Sequence, residues 1–402
     1  MTASMSEQKY MTPFLLICLI GFAAFFSSYL RIPVLPLYAA SMGAGPAQVG
    51  VINGAFMLTA GLCSIPFGLL ADRVGRRLPI IAGIFAAALS SLLVAQCRLP
   101  EQMAGAYILF GAGMAAFAPG MLSLVADIMP PRLLGQAYGW YTTAVYCAMA
   151  VGPASGGFLA QHLGLQQVFF VSAGLLVVVS LVAAFLLPHG AAHHRSDLRG
   201  VVAAGVGLLG NSGFVACLAA TLGSCIGFGV FMTFLPLFAS SQGLDPGRTG
   251  VVFAVQALTN VVSRIPIGRW ADSTDRRRVV AAGLLVLGLA LLILGQAAGM
   301  PQMLACAVLL GIGMALTYTA LGALIVELVP TLQRGLAMGM YNSCIYLGMM
   351  AGSAGLGLAL KRIGYPAGFA LAGGVALVGL AIFGMMIRSI GRTYQPEEEG
   401  MP

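Results

Sequence analysis

Long apolar stretches recur along the whole chain, separated by short segments rich in arginine, glycine or proline. Because a helix needs about 20 apolar residues to cross roughly 30 Å of hydrocarbon, these stretches predict an all-α membrane protein. Only 8% of the 402 residues are charged, against about 25% in soluble domains. This scarcity excludes a soluble enzyme, a nucleic-acid-binding protein and a secreted disulfide scaffold. Twelve transmembrane helices are predicted, at residues 12–39, 48–71, 78–97, 102–127, 133–160, 166–187, 212–239, 246–271, 279–298, 302–328, 335–360 and 366–388.

The basic residues are distributed unevenly between the two sides of these helices. Fifteen Lys and Arg residues are assigned to the side of the N-terminus and four to the other side. Since basic loops stay in the cytoplasm, both termini are expected to be cytoplasmic. Residues 12–39 are expected to form a retained helix rather than a cleaved signal peptide. This count assigns Arg264 to the cytoplasmic side and leaves Arg31 as the only charge within a span.

The second half of the chain repeats the first at a shift of 200 residues. Between residues 35–83 and 235–283, twenty of forty-nine aligned positions are identical. Two parallel six-helix repeats are the organisation of one class of transporters, in which the substrate path lies between the halves. The predicted division is an N-terminal half (1–187), a short cytoplasmic linker (188–211), a C-terminal half (212–390) and a cytoplasmic tail (391–402).

The segment between spans 2 and 3 carries the strongest motif. Residues 68–77 read Gly-Leu-Leu-Ala-Asp-Arg-Val-Gly-Arg-Arg, and residues 268–277 form a weaker copy in which Asp275 replaces the glycine. The segment resembles the G-x-L-A-D-R-x-G-R-K loop of the major facilitator superfamily, and the resemblance extends over nearly the whole chain. It implies the major facilitator fold, a transporter rather than an enzyme, and a multi-pass location in a bacterial inner membrane.

The resemblance also implies a role for the charged residues beside these loops. In the family, this cluster latches the two halves together on the cytoplasmic side while the outer side is open. Opposite charges at a headgroup boundary can pair, although the arginines alone would also satisfy the positive-inside rule. Carried over to this chain, the latch consists of Asp72, Arg73, Gly75, Arg76 and Asp127 in the N-terminal half, with Asp272, Arg276 and Glu327 as its counterpart.

A second motif, Gly152-Pro153-Ala154-Ser155-Gly156-Gly157, lies in span 5. It resembles the G-x-x-x-G-P-x-x-G-G motif of the twelve-helix drug:proton antiporters, with Ala148 at the first glycine. Gly152 and Gly156 share a helix face, where the absence of Cβ atoms lets a neighbouring helix come close, and Pro153 permits a kink. The resemblance favours an exporter, and ordinary packing of small residues is the alternative interpretation.

Arg31 is predicted in the outer third of span 1, roughly 27 Å along the helix. An ionisable residue within the membrane is by default a functional hypothesis. Its side chain is expected either to contact an anionic group of a substrate or to pair with carbonyls freed near Pro33 and Pro36. The alternative is that the side chain snorkels to the outer interface.

Polar and aromatic residues within the spans are the remaining candidates for a substrate cavity. Asn and Gln in hydrocarbon are costly unless they bond across helices or line water. Interhelical hydrogen bonding is an equally good explanation for any single one of them. The candidates are Asn53, Tyr107, Phe110, Tyr141 and Tyr146 in the N-terminal half, and Gln256, Asn260, Tyr318, Tyr341, Asn342 and Tyr346 in the C-terminal half.

No acidic residue is predicted in mid-membrane, and Tyr107 occupies the position where the family motif of span 4 has an arginine. Proton coupling therefore stays open. The expected function is secondary active transport by alternating access, with export of small amphipathic compounds. A sugar or organic-anion carrier using Arg31, working by uniport or exchange, is one alternative, and a membrane sensor or scaffold is another. The expected partners are a small-molecule substrate and the lipid bilayer; no nucleic acid, cofactor or metal ion is expected, and the chain is expected to work as a monomer.

Overall fold

A computed structural model describes residues 5–188, 198–330 and 333–391. Residues 189–197 of the predicted linker and 392–402 of the predicted tail lie outside these ranges. The regular elements within them are all helical. They are α1 (Met5–Tyr29), α2 (Val34–Ser41), α3 (Pro46–Val74), α4 (Arg77–Gln96), α5 (Pro100–Ile128), a 3₁₀ turn (Pro131–Leu133), α6 (Leu134–Leu163), α7 (Leu165–Leu186), α8 (Leu198–Leu208), α9 (Ser212–Ser241), α10 (Pro246–Ser273), α11 (Arg276–Leu294), α12 (Met300–Leu328), α13 (Arg334–Met350), a π-helical turn (Ala351–Gly355) and α14 (Leu356–Gly391).

Eleven helical stretches of the described chain are long and apolar enough to cross a membrane. The last of them, Arg334–Ile387, has 54 residues and would be about 80 Å long as a single helix, more than twice the hydrocarbon thickness. Gly364 interrupts it with φ 75° and ψ 169°. The stretch therefore contains two spans, and the total is twelve, as predicted.

The internal repeat is visible in the backbone. Gly164 joins α6 to α7 with φ 95° and ψ 158°, nearly the conformation of Gly364, 200 residues later. Gly75 ends α3 with φ 87°, whereas Asp275 has φ −61° and caps α11 by accepting a hydrogen bond from the Arg277 N–H. The two halves thus share the turn at 164 and 364 and differ at the position where aspartate replaces glycine.

The first span is not one continuous helix, contrary to the prediction for residues 12–39. α1 ends at Tyr29, and α2 begins at Val34 after a turn. Pro33 has no N–H to donate, and in a continuous helix its ring would clash with the backbone carbonyl four residues earlier. At the matching position of the second half stands Thr233, and α9 runs unbroken through it. The break is therefore specific to the first half.

Each half packs six spans, and the halves meet along two main lines, with a smaller contact between α2 and α9. α3 packs against α13, the π-helical turn and α14, while α6 packs against α10. The predicted linker contains an element that the sequence did not suggest, the short helix α8, which lies against α13. The space between the halves is therefore bounded by α3, α6, α10 and α13.

Candidate transport pathway between the two halves

At the outer end of the bundle, defined as the end predicted to face away from the cytoplasm, glycines bring the two halves into backbone contact. A Cβ atom built on Gly250 of α10 would lie 2.5 Å from the carbonyl oxygen of Pro153 on α6. A Cβ atom on Gly157 would come closer still to the carbonyl oxygen of Pro246. Real Cβ atoms need more room than this, so glycine is required for the observed approach. We call this contact, together with the equivalent contact of α3 with Ser353 and Gly357, the outer seam.

The second line of contact between the halves repeats the same arrangement. A Cβ atom on Gly50 of α3 would collide with the carbonyl oxygen of Ser353, and one on Gly357 would lie 3.0 Å from the carbonyl oxygen of Pro46. The Ser353 hydroxyl donates to the Gly50 carbonyl at 3.1 Å and lies 2.8 Å from the Thr233 hydroxyl. The outer seam therefore closes both sides of the pathway at this end.

The glycine motif in α6 packs in two directions. Gly152 and Gly156 face α1, where a Cβ atom on Gly152 would lie 2.8 Å from the Cβ atom of Tyr29 and one on Gly156 would overlap the Leu30 carbonyl. Gly157 faces the other half across the outer seam. The sequence contains a second copy that the motif comparison missed, because serine stands in place of its proline. Its members, found by the shift of 200 residues, are Gly348, Gly352, Ser353 and Gly357.

At the inner end, the charged loop residues form one cluster in each half. In the first, Arg76 Nε lies 3.4 Å from Asp127 Oδ2, and both side chains are about one-eighth exposed. Gly75 ends α3 beside this pair, Arg73 is exposed on the last turn of α3, and the side chain of Asp72 lies outside the described residues. In the second, Arg276 Nη2 contacts Asp272 Oδ1 at 3.0 Å, and Arg276 Nη1 also contacts Glu327. These described ion pairs each connect helices of the same half.

The two clusters differ in exposure, which predicts different mutant effects. We expect Asp127→Asn to lower the transport rate about tenfold, because its ion pair is largely shielded from water. Glu327→Gln should lower the rate less than threefold, because Arg276 would still form its ion pair with Asp272. Exposed ion pairs also contribute little to stability. Transport per molecule of reconstituted protein measures both effects. Equal losses in the two variants, or normal transport in Asp127→Asn, would contradict a latch in the first half.

Arg31 is enclosed within the N-terminal half, with no exposed surface. Its Nη1 donates to the Ser91 hydroxyl at 3.0 Å and to the Ser90 hydroxyl at 3.4 Å. Its guanidinium carbon lies 3.4 Å from the centre of the Phe110 ring and 5.3 Å from that of Tyr107. The snorkelling interpretation is therefore wrong. The expected pairing with freed carbonyls is also not what holds the side chain, since Nε and Nη2 have no hydrogen-bond partner in the described structure.

Arg264 is a second arginine within the membrane, and the prediction that Arg31 is alone there is wrong. It lies in α10, nine residues before the helix ends at Ser273, or about 13 Å from that end. Arg264 falls inside the predicted span 246–271, so its assignment to the cytoplasmic side is wrong. Without it the basic residues still divide fourteen to four, so the predicted orientation keeps its support.

The predicted cavity residues fall into two groups. Tyr107, Phe110 and Tyr141 are buried within the first half, and Gln256, Asn260 and Tyr341 are buried in the second. Asn260 donates to the Gly311 carbonyl at 3.4 Å, and Gln256 contacts the Met314 sulfur at 3.1 Å. Both amides thus join α10 to α12 as interhelical contacts. The half-exposed group consists of Asn53, Tyr146, Asn342 and Tyr346, on helices facing the other half, together with Tyr318 of α12.

Apolar side chains from both halves meet beside this half-exposed group. Phe56 of α3 packs edge to face on Tyr346 of α13, with ring centres 6.0 Å apart. Met57, Met349 and Cys225 form a buried cluster here, with further contacts to partly buried residues of α9, α12 and α13. Sequence analysis missed this cluster because methionines are spread over the whole chain, and only the fold shows which of them face each other.

An open cleft of about 720 Å³ lies outside the pathway, at the outer ends of α6 and α10. Its walls include exposed Phe158 and Val251 together with Asp245 and Arg248. Asp245 caps α10 by accepting a hydrogen bond from the Arg248 N–H at 2.8 Å, so its carboxylate has a structural partner. The cleft does not reach the half-exposed group, and we do not include it in the pathway.

A twelve-span bundle of two like halves, closed at one end and lined with polar and aromatic residues between them, defines a membrane transporter. The family model of the Major Facilitator Superfamily matches residues 17–245 and 217–400. The chain belongs to the major facilitator superfamily and is a multi-pass membrane transporter. The expected fold and family are thus confirmed.

Two relatives and one solved structure illustrate the similarity. The chain is 23% identical to an uncharacterized MFS-type transporter of Methanocaldococcus jannaschii over 338 residues, 83% of this chain and 87% of the relative. It is 25% identical to Multidrug resistance protein 2 of Bacillus subtilis over 396 residues, 95% of this chain and 96% of the relative. A bacterial homologue of the human lysosomal transporter Spinster, in an inward-facing and unoccupied conformation, has a TM-score of 0.80 at 14% identity, with 98% and 100% of the two chains covered. This last likeness shows the fold alone.

Proposed function

We propose that the chain is a secondary active exporter of small amphipathic compounds, working by alternating access in a bacterial inner membrane with both termini in the cytoplasm. The observation that carries the proposal is the half-exposed group of polar and aromatic residues beneath a closed outer seam. With the outer seam closed, a molecule could reach this group only from the inner end, as the loading step of an exporter requires. Export is further supported by the similarity to Multidrug resistance protein 2, which extends over 95% of this chain.

The chemistry of the pathway supports an amphipathic substrate. Methionine is flexible and polarizable, and methionine-rich surfaces adapt to ligands of different shape. Met232 and Met350, which are partly buried around Met57 and Met349, supply such a surface. Tyr146, Tyr346 and Asn342 provide hydrogen-bonding groups between the same halves. A site with an apolar wall and few polar groups binds compounds by shape and burial more than by a fixed set of hydrogen bonds.

Proton coupling would have to use residues outside mid-membrane. The acidic residues whose side chains the structure describes all lie at helix ends or loops: Glu101, Asp127, Asp245, Asp272, Asp275 and Glu327. Of these, Asp127 and Glu327 border the inner end of the pathway and already pair with arginines. Coupling through Asp127, Asp72 or Glu327, a substrate that carries its own proton, and facilitated or exchange transport without protons are the routes we consider.

A liposome experiment tests the proposal. Purified protein is reconstituted, and amphipathic dyes of positive and negative charge are applied with and without a pH gradient. We expect saturable movement of at least one dye, and faster movement with the gradient would support proton coupling. Movement of no dye in either condition would contradict an exporter of amphipathic compounds and favour a sensor or scaffold. Movement of sugars alone would favour the alternative of a sugar carrier.

A further inference from the structure

We propose that Arg264 and Tyr146 bind the negatively charged group of the substrate, and that this substrate is an amphipathic organic anion. The inference rests on the proposed export function and names its substrate class. It starts from the position of Arg264 inside the membrane and from the way in which its guanidinium group is held.

Arg264 is fixed on one side by its own half. Its Nε donates to Asn260 Oδ1 at 3.0 Å. Asn260 is buried, and its amide nitrogen bonds to the Gly311 carbonyl of α12. The guanidinium group is therefore oriented by hydrogen bonds that involve α10 and α12, before any ligand binds.

On the other side, Arg264 faces the opposite half. Its guanidinium carbon lies 4.1 Å from the centre of the Tyr146 ring on α6. Arg264 and Tyr146 are half-exposed. The remaining guanidinium nitrogens of Arg264 make no hydrogen bond to a residue that the structure describes. Donors are thus presented to the space between the halves.

The charge in this space has no described counter-charge. The described carboxylates all lie at the ends of helices, whereas Arg264 and Arg31 lie within the spans. An unpaired charge within a membrane protein is costly, and its attraction for an opposite charge grows in a medium of low dielectric constant. A guanidinium group binds a carboxylate, sulfonate or phosphate through two parallel N–H donors. An anionic group on the substrate would therefore supply the missing charge.

The rest of the ligand follows from the apolar neighbours. Tyr318 packs against the cluster of Met57, Met349 and Cys225, with its hydroxyl 3.0 Å from the Cys225 sulfur, and it also packs against the buried cluster that contains Tyr341. An apolar body placed on the partly buried residues around that cluster, such as Phe56 and Met350, could extend its charged end toward Arg264. Cationic compounds would meet repulsion from the same guanidinium group. The arrangement thus selects by the sign of the charge and tolerates variation in the apolar part.

The test compares an anionic dye with a cationic one. Anilinonaphthalene sulfonate and ethidium are both amphipathic, and their movement is measured in liposomes containing the wild-type protein or a variant. We expect Arg264→Gln to lower the kcat/KM for the sulfonate by at least tenfold, the effect of losing a charge-assisted hydrogen bond, and to change that for ethidium less than about twofold. Arg264→Lys should retain part of the sulfonate transport. Arg264→Glu should reverse the preference.

The matched control is Arg269→Gln, which removes an exposed arginine from the same helix and should leave both dyes unchanged. Equal losses for both dyes in Arg264→Gln, or a wild-type preference for ethidium, would overturn the substrate class and leave the export function intact. Movement of neither dye by the wild-type protein would contradict both proposals. If Arg264→Gln is absent from the membrane, the Lys and Glu variants supply the same comparison of charge.

Discussion

Transport is expected to fall at least tenfold when Gly157 is replaced by leucine, while the protein remains folded in the membrane. Gly157 faces the Pro246 carbonyl of the opposite half, with no space for a Cβ atom. Overpacking of a tight contact costs about 1–3 kcal/mol, and every 1.4 kcal/mol changes a population ratio tenfold. Because the collision exists only when the outer seam is closed, the substitution should shift the protein toward the state that is open at the outer end.

A distance measurement separates this shift from misfolding. Spin labels are attached at positions 99 and 298, since Leu99 and Ala298 lie on outer loops of the two halves. The background protein has its native cysteines replaced and must still transport. We expect a longer distance in Gly157→Leu than in the parent protein. Gly105→Leu is the matched control, because this exposed helical glycine has no atoms near its built Cβ atom. An unchanged distance together with normal transport would show that the outer seam need not close.

Arg31→Met is expected to raise thermal stability and to lower transport of an organic anion about tenfold. The guanidinium group is fully buried, and two of its nitrogens have no hydrogen-bond partner among the residues that the structure describes. Its serine neighbours do not depend on it, since Ser90 donates to the Ala106 carbonyl at 2.7 Å and Ser91 to the Ala87 carbonyl at 3.2 Å. Replacing a buried ion pair by apolar side chains of similar volume often stabilises a protein by about 1–4 kcal/mol, and Arg31 has no described carboxylate partner that the substitution would leave unpaired.

The loss of transport should accompany this gain because Arg31 adds positive charge to the membrane interior. The apparent Tm of purified protein and the rate of sulfonate transport are measured on the same sample. Arg31→Lys, which keeps the charge but loses the stacking on Phe110, should retain part of the transport. A lower Tm in Arg31→Met would make Arg31 a structural residue, and an unchanged rate would remove it from the transport mechanism.

The fold could be predicted from the sequence because its main determinant is local. The length of each apolar stretch fixes a span, and the glycines at 164 and 364 end spans in both halves by the same backbone conformation. The altered turn at Asp275 also follows from one substitution. The break between α1 and α2 was not predicted, since proline is tolerated in transmembrane helices and only the neighbouring structure determines whether the helix continues.

The candidate site was less predictable, because its residues meet through contacts distant in the chain. The serine partners of Arg31 lie 59 and 60 residues away, and no local pattern indicates which serine will face which arginine. Arg264 could have been found by checking each arginine against the predicted spans. Ser353 could have been found by aligning the glycine motif of α6 with the second half, but its contact with Gly50 required the packed helices.

The outer seam consists of glycines and backbone carbonyls, and this composition has a consequence for the response to salt. Contacts of this kind depend on dispersion, which is lost when surfaces separate by even about 1 Å, and they carry no net charge to be screened. The inner end depends on ion pairs such as Arg276 with Glu327, which are exposed to water and weaken as ionic strength rises. Added salt should therefore weaken the pairing of α11 with α12 at the inner end and leave the outer seam unchanged, so the inner ends of these helices become looser as ionic strength rises.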